Sequence, residues 1–144
     1  MAAHNYRAGL GHVGAYQVAG MPWLSGNVDM GPAEGVNGHQ GSDHIQFPNV
    51  ARSVTVINKS GGAGDDIRVQ FNTGSYQYLA QDPVVEHIHY VTLTAVNDSI
   101  TFNVKCKEIF VTGLSANASY QIVAELTHIP ASEMYNLSGS GLTE

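Results

Sequence analysis

Ser53-Val54-Thr55-Val56-Ile57, then the turn Lys59–Asp66 (KSGGAGDD), then Ile67-Arg68-Val69-Gln70-Phe71, is the stretch that decides the fold class. Val54 and Val56 alternate with Ser53, Thr55 and Ile57, while Ile67, Val69 and Phe71 alternate with Arg68 and Gln70. Successive strand side chains point to opposite faces, so a period of two marks a strand with one buried face. The two runs are expected to pair as an antiparallel hairpin across the Gly-rich loop.

The same period continues toward the C-terminus. Asn72-Thr73-Gly74 turns the chain before Ser75–Leu79, and Gln81-Asp82-Pro83 ends that run. Val91, Leu93 and Ala95 share one face of the next strand, and Ile100, Phe102 and Val104 one face of the strand after it. Ile109 and Val111 fall on odd numbers, so the register must slip near Cys106–Glu108, the signature of a bulge or bend. Tyr120, Ile122, Ala124 and Leu126 line one face of the last strand. About seven short strands with polar turns, and no long amphipathic helix, predict a single all-β domain of β-sandwich or jelly-roll type. Its expected extent is residues 47–130, followed by a tail at 131–144 with a short helix over Ser132–Leu137.

Residues 1–46 read differently. Asn5–Gly26 (NYRAGLGHVGAYQVAGMPWLSG) is rich in Gly and aromatics, and Gly31, Gly35, Gly38 and Gly41 follow. Glycine disfavours a stable isolated helix here. Yet Tyr6, Leu10, Val13, Tyr16, Val18, Met21, Trp23 and Leu24 are too apolar for a solvated tail. A long extended arm is expected, with Ala15–Ala19 adding as a strand to its own sheet or to a neighbour's. Tyr6, Leu10, Tyr16, Val18, Pro22, Trp23 and Leu24 are its candidate partner-binding residues, because rigid aromatics anchor interfaces.

Composition narrows the function. At 144 residues the chain suits one domain. Charged residues make up 12%, about half the usual share, which suits a polar surface packed against other subunits. A net charge of −6 with six scattered basic residues gives no stripe for nucleic acid or for an acidic membrane. No secretion signal and no membrane-spanning run is expected. Cys106 is single, which excludes an internal disulfide and suits a small buried residue. The Asn-x-Ser triplets at Asn58, Asn97, Asn117 and Asn136 read as turn chemistry.

Catalytic and cofactor patterns are sparse. Gly9-Leu10-Gly11-His12-Val13-Gly14 matches G-x-G-x-x-G but lacks a preceding strand and a following helix, so no dinucleotide and no other cofactor is expected. His87 and His89 share one side of a strand, and such pairs from three copies of a homotrimer would build a six-nitrogen cage; they are the candidate metal ligands. Asp65-Asp66 lacks the spaced ligand set of a calcium loop. Tyr76 and Tyr78 share a strand face that suits a sugar platform. There is no G-x-S-x-G elbow and no acid/base constellation, so an enzyme is not expected.

His12–Gly20 (HVGAYQVAG) leading into Met21–Gly26 (MPWLSG), followed by Phe47–Val56 (FPNVARSVTV), resembles small virion structural proteins of T4-like marine cyanophages. Ile67–Phe71 and Val123–Pro130 are similar to later strands of that group. The resemblance implies a capsid decoration or cement protein, carried in the virion after assembly in the host cytoplasm. Its partners would be the major capsid protein or other virion subunits. A tail or neck component, or a carbohydrate-binding or adhesion module, is the alternative.

Overall fold

The computed structural model describes residues 8–17, 20–29, 42–72, 89–115, 117–139 and 141–142. Seven strands occur among them: β1 Met21–Asp29, β2 Ser42–Asn58, β3 Ile67–Gln70, β4 Val91–Leu93, β5 Ser99–Phe102, β6 Cys106–Gly113 and β7 Ser119–Pro130. They pair antiparallel in the order β1-β7-β2-β6-β3-β4, with β5 also on β2. The fold is all-β, as the alternating pattern predicts.

β2 organises the sheet. β7 lies along one edge of its second half, from Asn49↔Pro130 to Asn58↔Tyr120. The other edge pairs with β5 and then β6, Ile57↔Ser99 through Val54↔Phe102 and then Ala51↔Cys106 through Ser42↔Thr112, with 47–50 skipped at a register shift. Residues 103–105 leave the ladder between them, and β2 shifts register between Gln46 and Ala51. That shift, between the pairs Gln46↔Glu108 and Ala51↔Cys106, is the slip foreseen at Cys106–Glu108. Val104 is consequently exposed, whereas Cys106 is fully buried opposite Ala51.

The expected β2–β3 hairpin does not form. Both edges of β2 are taken by β7, β5 and β6, and β3 pairs instead with β6 and β4. The loop 59–66 is long enough to carry the chain across. The sheet folds over on itself, so that Leu93 of the β4 end and Trp23 of the β1 end pack in one cluster with Val54, Ile67, Ile109 and Ile122. Asn58 joins the two halves: its Nδ2 donates to the Leu93 carbonyl at 3.0 Å and its Oδ1 accepts from Ser60 N–H at 2.8 Å. Burying each large aliphatic side chain contributes about 1.5–3 kcal/mol, so this cluster dominates stability.

Two other segments depart from their expected form. β4 ends at Leu93, because the Asp98 carboxylate accepts the Ala95 N–H at 2.8 Å and closes a tight turn that leaves Ala95 exposed. The helix expected over Ser132–Leu137 is a single 3-10 turn, Ala131–Glu133. The strand Ser75–Leu79 lies outside the described residues.

Candidate functional site

The arm runs along its own domain wherever it is described. Residues 9–12 form a turn, and α1, Val13–Gln17, follows in place of the expected strand over Ala15–Ala19; Ala15 N–H donates to the His12 carbonyl at 3.0 Å. A five-residue helix has too few hydrogen bonds to persist alone. It is held by a seat at the bend of β2, where Ala8, Leu10, Ala15 and Tyr16 pack against Val50, Ile129 and Met134. Two cations complete the seat. Arg52 Nη1 donates to the Tyr16 carbonyl at 2.9 Å, and its Nε to Glu125 at 2.7 Å. Lys105 Nζ donates to the Leu10 carbonyl at 3.1 Å and lies 5.2 Å from the centre of the Tyr16 ring. The Tyr16 hydroxyl donates to that same Leu10 carbonyl at 2.8 Å. The Arg52 guanidinium holds the Glu125 carboxyl below its ordinary range.

After the seat the chain presses onto β7. A Cβ at Gly20 would collide with the Leu126 carbonyl oxygen, so this position accepts only glycine without a backbone shift. β1 then pairs with β7 from Met21↔Leu126 to Asp29↔Ser119. Trp23 turns inward and meets the Phe47 ring edge-on at 5.1 Å. Of the candidate partner-binding residues, Leu10, Tyr16 and Trp23 are therefore engaged by their own chain. Pro22 and Leu24 point outward; Tyr6 and Val18 lie outside the described residues.

The outward face around Leu24 is the clearest unpartnered surface among the described residues. Leu24 is 69% exposed and sits beside Val123, 40% exposed. The row continues through Thr55 and Thr101, whose hydroxyls are 2.8 Å apart. Neighbouring rows add Ile57, Gln121 and Ser99 on one side and Pro22, Glu125 and Ser53 on the other. Glu125 is the one charged residue of these rows, and Arg52 pairs with it. Composition predicted a weakly charged surface; only the register reveals that its apolar members adjoin.

A second feature is an open groove of about 590 Å³ beside the 3-10 turn, lined by His44, Gln46, Glu108 and Ser132 among others. His44 stacks on Phe110 at 4.3 Å and its Nε2 lies 2.7 Å from Glu108. Sequence reading missed this pair, because Phe110 and Glu108 meet His44 only through the β2–β6 register.

Several further polar groups tie strands and turns together. Asp65 accepts a hydrogen bond from the Ser115 hydroxyl, and Asn58, start of the first Asn-x-Ser triplet, is fully buried. Tyr120 donates to Asp43 at 2.7 Å; burial, then that hydrogen bond, drives its phenol far above the ordinary range. Burial pushes the Cys106 thiol up to about 12, so it is held as an unreactive thiol. Among the described residues no three His, Cys, Asp or Glu side chains cluster to hold a metal ion. His89 is half-buried, whereas His87, Tyr76 and Tyr78 lie outside the described residues. Among the described residues, no helix is long and apolar enough to cross a membrane. Comparison with family models, with curated proteins and with solved structures gave no match.

Proposed function

We propose that this chain is a non-enzymatic structural subunit of a phage virion, a decoration or cement protein that bridges shell subunits. The observation that carries this reading is the weakly charged outer face of β1, β7, β2 and β5, with Leu24 and Val123 side by side at the sheet edge. Exposed apolar side chains that adjoin mark interaction surfaces more often than scattered ones do. The resemblance of residues 12–26 and 47–56 to virion proteins points the same way. A cement protein needs contact area and shape complementarity rather than reactive groups. Repetition over a symmetric shell then turns a modest single contact into a strong one.

The test is co-sedimentation of the purified chain with shells assembled from a major capsid protein, together with the shell melting temperature. Binding and a higher melting temperature are expected, and Leu24→Glu should abolish both while leaving the domain folded. A chain that stays in the supernatant at every concentration overturns the proposal.

A further inference from the structure

The groove beside the 3-10 turn is polar and is set on paired strands. His44 and Gln46 are two apart on β2, and Phe110 and Glu108 lie directly opposite them on β6, so the four form one square of the sheet surface. The His44 ring is fixed twice, by its stack on the buried Phe110 ring and by the 2.7 Å contact of its Nε2 with Glu108. The His44 side chain is nonetheless 41% exposed, and it lines the groove. Ser132 and Asn136 add a hydroxyl and an amide from the segment after β7. Among the described residues, the side chains of Gln46, Ser132 and Asn136 make no hydrogen bond within the chain, and Glu108 bonds through Oε2 alone.

The geometry points to a binding site for a neutral sugar, one pyranose ring laid against His44 with its hydroxyls on the surrounding polar groups. Sugar hydroxyls both donate and accept. The amides of Gln46 and Asn136 and the Ser132 hydroxyl do the same, and the Glu108 carboxylate accepts. A ring held in place offers its face to the apolar C–H side of a pyranose, while a few fixed polar groups set its orientation. Because Phe110 and Glu108 already hold the imidazole, binding costs little ordering of that side chain. Charge argues against other small ligands. Glu108 repels an anion, and the groove's cation, Lys107, donates to the Met134 carbonyl at 3.0 Å. A metal ion would find one imidazole and one carboxylate, already bonded to each other. The site shares no residue with the Leu24 face, so sugar binding and shell binding can fail independently.

The experiment follows amide shifts of the isotope-labelled full chain by NMR during titration with methyl glycosides of glucose, galactose, mannose and N-acetylglucosamine. At least one should give saturable shifts centred on His44, Gln46, Glu108 and Asn136, with a Kd on the order of a millimolar for so open a site. His44→Ala and Gln46→Ala should each weaken binding by roughly tenfold, whereas Leu24→Glu should leave it unchanged. Gln46 is exposed and makes no side-chain hydrogen bond among the described residues, so its loss of binding reads the site and not the fold. Shifts that stay linear for all four glycosides overturn the proposal, as does binding that survives both groove variants. Sulfate or zinc moving these amides where no glycoside does would overturn it too.

Discussion

The strand core and the seat of residues 8–17, the strap, are both apolar clusters of one chain, yet they are held by different physics. The core is built from side chains with essentially no exposure, among them Val54, Ile67, Ile109 and Ile122, contributed by strands far apart in sequence. The seat has three buried residues and relies on hydrogen bonds from Arg52 and Lys105 to complete it. Area burial grows with every strand added, whereas partly exposed charge contacts are screened and each contributes little. Removing one contact should therefore cost much in the core and little in the seat.

The largest contrast is between Ile122→Ala and Leu10→Ala. A cavity at Ile122 should cost about 2–5 kcal/mol in urea unfolding, because well-packed neighbours relax only partly. Leu10→Ala should cost about 1 kcal/mol or less, since its site is already partly open. Equal losses would erase the distinction.

Next in size is Gly20→Ala, at the boundary between strap and strand. The added methyl must displace the Leu126 carbonyl or the chain itself, at a cost of about 1–3 kcal/mol. Hydrogen exchange should accelerate at Met21–Leu24 and be unchanged in β6. Uniform acceleration would mean that β1 and the body unfold as one unit.

Alkaline pH should act on the core. The folded pKa values of Cys106 and Tyr120 are both raised, so their contribution is complete below the unfolded values and is lost as pH rises. Melting temperature should begin to fall above about pH 9, the thiol's share declining until about pH 12. Thiol reagents should stay unreactive toward Cys106 until that unfolding begins. Rapid labelling of the native protein at pH 8 would contradict the packing.

The smallest effect is expected at the seat. Arg52→Ala should cost below about 1 kcal/mol of global stability while deprotecting the amides of residues 8–17. Glu125 is held low by Arg52, so this pair contributes above pH 4.5 and fades as pH falls below that value. High salt should loosen the strap in the same way. A strap equally protected in the variant and at high salt would show that the apolar floor alone holds it.

How far the sequence could be read differs between these two regions. Positions 54, 56, 67, 69, 120, 122, 124 and 126 stand out by parity, and all are buried. Parity failed at Val104 and Ala95, where the ladder is interrupted, and at Val91, which is exposed although it lies on β4, the last strand in the order. Trp23 and Tyr16 stood out as aromatics, but nothing in their spacing says whether they face inward or outward. His44 gave no local hint of its stacking on Phe110, a residue 66 positions away whose nearness comes from pairing alone.

By itself the sequence determined that this chain is all-β and which positions of β3, β7 and the second half of β2 alternate into the core. Both follow from a side-chain period that each strand carries locally. The tertiary structure decided that β3 lies beside β6 rather than β2, that Leu24 and Val123 meet on an open face, and that the strap finds a seat at the β2 bend. Backbone hydrogen bonds are nearly blind to side-chain identity, so partner choice rests on closing one shared core. That condition belongs to the whole chain and to no segment of it.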